Sequence, residues 1–283
     1  MGCQTSSSTS YTAYPDHYST EDLLDLSEED YCFLSHFLKP YYLTPKSLKQ
    51  LSTRFSEESS LELHDFLKAA LAAKLQSGLR DCDKRDGLDY ESRSGLLPSH
   101  SSGTDKETWT LRGPPHKFRY CVLSPVSPSF PKYEEERIAL LSSPDSTPEQ
   151  VLYVIQNTLF PSSAFRSWLA LCTSLLPVRY SVLARRFRPG LDYTLATSND
   201  DDFVLDVVLG LTPDVQDDTK ENGEISKGKG KAKNPDLTEP EEESSGWEGG
   251  EWGGWEVSIW SLNHSTIDLI TLRTEYLVLY GSP

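Results

Sequence analysis

Arg185-Arg186-Phe187-Arg188-Pro189-Gly190-Leu191-Asp192-Tyr193-Thr194-Leu195-Ala196 holds a strand-like run, a Pro-Gly turn and a second strand-like run. Residues 203–211, the longest β-type segment of the chain, follow almost at once, so the stretch predicts a hairpin feeding a sheet. Phe203, Leu205, Val207 and Leu209 alternate with Val204, Asp206 and Val208, which gives that sheet two distinct faces. Three arginines interleaved with apolar residues at the turn read either as a binding edge or as a solvated one.

Upstream, the pattern is helical. Ser27 with Asp30 three residues later opens a first helix carrying Tyr31, Leu34, Phe37 and Leu38 on one face. Thr44-Pro45 opens a second, with Leu48, Leu51 and Phe55 at helical spacing. Leu61-Glu62-Leu63-His64 alternates as a short strand, and Phe66, Leu67, Ala70, Leu71 and Leu75 return to the helical period. Residues 109–111 and 118–123 read as strands, 134–141 and 148–159 as helices with Thr147-Pro148 as a start signal, and a further helix carries Phe165, Trp168, Leu169 and Cys172 inward. Helices covering one face of a largely antiparallel sheet make an α+β or jelly-roll arrangement.

Composition narrows the classes of function. The 283 residues carry a net charge of -16, so the chain as a whole repels nucleic-acid phosphates and anionic lipid. Five widely spaced cysteines without a C-x-x-C pair read as free thiols of a reducing compartment, which places the chain in the cytoplasm, the nucleus or both. No apolar run approaches the roughly 20 residues that span a bilayer. Met1-Gly2-Cys3-Gln4-Thr5-Ser6 fits an acylation pattern at Gly2 and Cys3, and membrane association is expected only if those two residues are acylated. Residues 1–24 are expected to be a disordered tail and residues 25–283 the folded domain, with flexible insertions at about 78–116 and 213–246. The second insertion holds Lys227, Lys229, Lys231 and Lys233, spaced by small residues and flanked by acid, a composition that favours a solvated loop over a nucleic-acid patch.

At this point the chain resembles a known family. Residues 186–196, the run Leu205-Asp206-Val207-Val208-Leu209-Gly210-Leu211-Thr212-Pro213 and the later Gly250-Glu251-Trp252-Gly253-Gly254-Trp255-Glu256-Val257 are similar to the C-terminal domain of prolyl hydroxylases that act on a small-subunit ribosomal protein. Leu63-His64-Asp65-Phe66-Leu67 and Leu38-Lys39-Pro40-Tyr41-Tyr42-Leu43 resemble the segment that opens that domain. In fungi the family includes an oxygen-sensing regulator of degradation and a translation-termination factor. The resemblance implies two double-stranded β-helix domains, the first catalytic with Fe(II), 2-oxoglutarate and ascorbate, the second of the same fold without the metal site. This chain matches the second, with its last strands expected to be missing and one sheet edge left open.

A facial triad needs two histidines and a carboxylate, commonly begun by His-x-Asp or His-x-Glu. The residues two beyond His17, His36, His64, His100, His116 and His264 are Ser19, Leu38, Phe66, Ser102, Phe118 and Thr266. No such pair exists, and no cofactor, metal or catalytic residue is assigned to this chain. His64-Asp65 is read as a buried or surface-satisfied histidine in preference to a metal or acid/base pair, because adjacent side chains diverge on helix or strand.

The expected function is a non-catalytic, regulatory protein-interaction domain of an iron- and oxoglutarate-dependent prolyl hydroxylase family protein. Alternatives are a fragment of an active prolyl 3,4-dihydroxylase whose catalytic domain lies upstream, and a ribosome- or RNA-associated factor. Expected partners are that upstream domain, ribosomal proteins or degradation-pathway proteins, with RNA a weaker candidate. The candidate partner edge is Arg186, Arg188, Trp247 and Trp252, with Phe187, Leu191, Tyr193 and Leu195 as core.

Overall fold

The structure, a computed structural model, describes residues 11–15, 25–89, 92, 97–105, 107–125, 130–195, 204–211, 254–262 and 276–280. Its helix starts follow from local chemistry. Ser27 Oγ accepts the Asp30 amide at 3.0 Å and opens α1, Glu28–Leu34. Thr44 Oγ1 accepts the Ser47 amide at 3.3 Å and opens α2, Pro45–Glu58. Helix α3, Ala69–Arg85, follows the strand β2, Ser60–His64, and α4 spans Glu134–Ser142. Thr147 and Gln150 form a reciprocal capping box at the head of α5, Pro148–Val154, which continues into a π-helical turn, Ile155–Leu159. Ser162 caps α6, Ser163–Thr173, through the Phe165 amide at 3.1 Å.

The remaining strands are β1 Thr12–Ala13, β3 Trp109–Arg112, β4 Phe118–Leu123, β5 Arg179–Phe187, β6 Tyr193–Thr194, β7 Val204–Gly210, β8 Gly254–Leu262 and β9 Tyr276–Tyr280. They form one antiparallel sheet with the order β2-β9-β7-β8-β5-β4-β3, while β1 pairs with β5 and β6 with β4. The α+β class is therefore realised. One face of the sheet meets the helices. Leu61, Leu63, Cys121, Leu123, Ala184, Leu205, Val207, Leu209 and Val257 point from it into a single cluster with the helix residues Leu71, Leu75, Leu79, Val151, Leu152, Phe165 and Trp168. The alternation of residues 204–210 thus does what period two predicts: 205, 207 and 209 go inward.

Aromatic packing centres on α6. Trp168 is fully buried, with the Phe66 ring at 5.4 Å and the Phe165 ring at 5.5 Å, and its indole N–H donates to the Tyr42 carbonyl at 2.9 Å. One side chain thereby joins the 3-10 turn Pro40–Leu43, the residue after β2's turn, and the helix layer.

Several expectations change. Helical structure runs through residues 78–85, inside the segment expected to be an insertion, because Leu79 and Cys82 continue the buried stripe of Leu71 and Leu75. Within the expected tail, Thr12 and Ala13 add a strand to β5. The region beyond Trp260, expected to leave an open edge, supplies β9, which sits between β2 and β7. Tyr31, inside α1, is exposed and not on the buried face, while Leu34 at the helix end and Phe37 and Leu38 just beyond it are buried. Gly2, Cys3, Trp247, Trp252 and the 213–246 segment lie outside the described residues. Among the described residues no helix is long and apolar enough to cross a membrane.

Replacing Trp168 by Ala removes both the ring contacts and the buried N–H donor. Urea unfolding followed by circular dichroism is expected to show a loss of about 3–5 kcal/mol, with Trp168→Phe costing clearly less.

Candidate functional site

The hairpin that opened the sequence reading turns at Pro189-Gly190, where Gly190 adopts φ 69°, and its chain closes through the Leu191 and Asp192 amides, which both donate to the Arg188 carbonyl at 3.1 Å. A Cβ at Gly190 would meet only the tip of the exposed Leu97 side chain, which can turn aside, so it is the left-handed dihedral that makes the turn need glycine.

Arg186 and Arg188 do not form an exposed edge. Both are 1% exposed. They leave the end of β5 toward the face that meets the helices, where the loop of residues 97–105 and the C-terminal turn of α3 close over them. Arg188 grips Asp192 with two hydrogen bonds, Nε to Oδ2 at 2.8 Å and Nη2 to Oδ1 at 2.9 Å, and donates from Nη1 to the carbonyls of His100 at 2.6 Å and Ser102 at 3.1 Å. Arg186 donates to Asp86 at 2.6 Å, to Asp83 at 2.8 Å and to the Gly103 carbonyl at 3.2 Å. The order reverses what exposed arginines need: carboxylates and carbonyls satisfy them internally, which is the condition for burying a guanidinium.

The network extends from both ends. Arg119 lies 3.5 Å from Asp192. Arg85 bonds Asp86 at 3.1 Å and approaches Glu149 at 3.5 Å, and the Cys82 thiol donates to the same Glu149 oxygen at 3.3 Å. Arg85, Arg119, Arg186 and Arg188 thus face Asp83, Asp86, Asp192 and Glu149, a balanced set of charges. Burial works against the charge of Arg188, and the Asp192 hydrogen bonds override it, so the guanidinium is held above its ordinary range. For Asp86, burial pushes the carboxyl up while the bonds from Arg85 and Arg186 pull it further down, and the net shift is downward.

Beside this network a cleft of about 480 Å³ opens, walled by Arg85, Asp86, Gly103, Asp105, Trp109 and Glu149. The latch shapes it directly, because Asp86 and Gly103 are partners of Arg186. Burial, then the neighbouring Glu149, pushes the Cys82 thiol up to about 12, and burial takes Cys121 up to about 11, so both favour the protonated thiol. Among the described residues no three His, Cys, Asp or Glu side chains come together as metal ligands. His64 and Asp65 separate, the first toward Glu62 at 3.6 Å and the second toward Lys39 at 3.0 Å.

The opposite sheet face holds a second charged group. Arg185 forms an ion pair with Glu256 across the β5–β8 pair and lies over the rings of Tyr120 at 5.3 Å and Phe187 at 5.8 Å. Asp206 stands near both charges with Oδ1 sealed from solvent and without a hydrogen-bond partner. Burial raises its carboxyl to about 6, Arg185 opposing and Glu256 reinforcing the shift.

Of the residues expected as core, Leu191 is buried and Phe187 half-buried, but Tyr193 is 38% and Leu195 54% exposed, since β6 is a two-residue edge pair with β4. Asp83, Asp86 and Asp192 were the functional partners missed. Asp192 had a readable signal, four residues after Arg188 across a Pro-Gly turn, whereas Asp83 and Asp86 are separated from Arg186 by about a hundred residues.

Arg188→Met leaves Asp192 buried with one strong partner fewer, and guanidinium unfolding is expected to show a loss of about 3–5 kcal/mol. In a double-mutant cycle with Asp192→Asn, a coupling of about 1–3 kcal/mol is expected, and additive losses would place the pair outside the core. Asp206 follows the opposite pH logic to a paired carboxylate. Its folded pKa lies above the unfolded value, so its contribution is most favourable below about pH 4 and is lost as pH rises toward about 6. Asp206→Asn is therefore expected to stabilise the chain by about 1–2 kcal/mol at pH 7.5 and to change little at pH 4, measured by thermal melts at both values.

The family model for the oxoglutarate and iron-dependent oxygenase degradation C-term matches residues 29–268. The chain is also 30% identical over 164 residues to the prolyl 3,4-dihydroxylase OGFOD1 of Ostreococcus tauri, an alignment covering 58% of this chain and 28% of that protein. The matched span takes in every helix, the arginine latch and strands β2 through β8. The chain thus belongs to the family of oxoglutarate and iron-dependent oxygenase degradation C-terminal domains.

Proposed function

We propose that this chain is a non-catalytic regulatory and protein-interaction domain of an iron- and 2-oxoglutarate-dependent prolyl hydroxylase family protein, serving oxygen-dependent degradation or translation termination. The observation that carries the reading is the family match over residues 29–268, which is to the degradation C-term and not to an oxygenase catalytic unit. The relative that shares 30% identity is named a prolyl 3,4-dihydroxylase, and this chain aligns with only 28% of it. In this reading the antiparallel sheet is part of a double-stranded β-helix.

Iron and oxoglutarate are the groups that the family description names. The donors among the described residues do not fit an Fe(II) centre: His64 faces Glu62, His100 lies against Arg119 at 2.9 Å, and Asp83, Asp86 and Asp192 are engaged by guanidiniums. No step of oxygen chemistry is therefore routed through them. What the chain's own residues supply is a stiff, charge-balanced platform with an adjoining cleft, suited to holding a protein partner. We take the upstream catalytic domain of a full-length family member as the first partner.

A second reading, favoured by the dihydroxylase relative, makes this chain a piece of an active enzyme whose catalytic domain lies upstream. The ribosome- or RNA-associated reading loses Arg186 and Arg188 as phosphate contacts, since both are spent on carboxylates and carbonyls.

Incubation of the chain with Fe(II), 2-oxoglutarate and a prolyl peptide is expected to give no substrate-dependent succinate, and turnover would overturn the non-catalytic assignment. Saturable binding to the separately produced catalytic domain of the algal relative is expected by calorimetry. Absence of binding there, together with salt-dependent binding of RNA, would instead support the ribosome-associated reading.

A further inference from the structure

Strand β1 lies outside the family match, which begins at residue 29, and it adds to the edge of β5 at Thr12↔Tyr180 and Ala13↔Arg179. Both of its residues are exposed, so the segment is not held by an apolar strand face. It is held by the next residue. Tyr14 is buried to 7% exposure, its amide donates to the Val178 carbonyl at 3.2 Å and its hydroxyl donates to the Phe160 carbonyl at 3.4 Å. Its ring meets Tyr180 at 4.6 Å, and the Arg166 guanidinium stands 4.8 Å from its centroid. Arg166 is itself fixed by a 2.7 Å bond to the Pro177 carbonyl.

These contacts describe a slot with a specific shape. An edge strand offers backbone hydrogen bonds to any extended segment, and one deep pocket beside it selects a side chain, which is the arrangement of strand-addition peptide sites. The pocket selects a neutral aromatic with a hydroxyl. Burial, with Tyr180 adding to it, keeps the Tyr14 hydroxyl protonated far above its usual range, even though Arg166 works the other way. The segment is short, with the two ladder positions, the Tyr14 amide and hydroxyl bonds and the Tyr14 ring among its contacts, and in the proposal below it opens as a local unit without global unfolding. Beyond the two ladder positions, the β5 edge is served by a side chain, the Gln156 amide oxygen accepting from the Ala184 amide at 2.6 Å, and then by β4 at Arg185 and Arg186.

We propose that the β5 edge at Arg179 and Tyr180, with the pocket made by Phe160, Arg166 and Tyr180, is a peptide-docking site of the strand-addition type. Its ligand is an extended segment presenting a tyrosine, and residues 11–15 occupy it in cis. A partner bearing such a segment competes with the chain's own strand. This is independent of the proposed regulatory role: the site stands or falls on peptide binding, whatever the oxygenase assay shows.

The test uses the full chain and a fluorescein-labelled peptide with the sequence of residues 9–17. Ala13→Pro, on the exposed strand, and Tyr14→Ala, in the pocket, each free the slot. The peptide is expected to bind either variant at least ten-fold more tightly than the unmodified chain, and a peptide carrying Tyr14→Ala is expected not to bind. Hydrogen exchange provides the second readout, with amide protection at residues 178–180 falling in Ala13→Pro and returning on addition of peptide. Equal affinity for the unmodified chain and a folded variant overturns the proposal, as does no saturable binding to a folded variant. If both variants lose protection across the whole sheet, the segment is an integral part of the fold and the exchangeable site is refuted.

Discussion

Two guanidiniums cannot be buried without partners, and much of this chain is arranged to supply them. Taking Arg186 and Arg188 out of water carries a penalty of several kcal/mol each before compensation. The compensation comes from three places that are remote in sequence: the last turn of α3, the loop at residues 97–105 and the far side of the Pro-Gly turn. Each must be in register with β5 for the charges to balance. The loop has little apolar content of its own, and the arginines hold it through the carbonyls of His100, Ser102 and Gly103. A segment that cannot fold on hydrophobic burial is thereby ordered by hydrogen bonds to charge, which are stronger than neutral ones.

The helices and strands were largely legible because their signals are local. Ser27, Thr44, Thr147 and Ser162 each cap the helix they precede, and the alternation in residues 204–210 assigned the faces of β7 correctly. The site was legible in part. Arginines alternating with apolar residues near a turn have the same pattern whether the polar face meets water or carboxylates, so Arg186 and Arg188 read as an edge. Asp83 and Asp86 lie at the end of α3, whose apolar stripe runs on through Leu79 and Cys82, and no local rule links Asp83 to a strand a hundred residues on. Tyr193 and Leu195 were misplaced for a related reason: alternation identifies the two faces of a strand but not whether anything covers them.

The sheet edges explain why additions outside the main pattern occur. Strand β9 enters between β2 and β7, β1 and the Gln156 amide cover parts of β5, and β6 covers the start of β4. Unsatisfied edge amides are a liability, and short strands and single side chains are the devices used here to occupy them. Among the described residues, Asp83, Asp86, Asp192 and Glu149 are engaged by guanidiniums.

The most direct test of that account is nitrogen-resolved NMR of the arginine side chains. If Arg186 and Arg188 form a buried latch, their guanidinium protons give separate, slowly exchanging resonances that persist in 0.5 M salt and disappear selectively on Asp192→Asn for Arg188. Fast exchange with bulk water for both residues, with shifts that move on addition of salt, would contradict it.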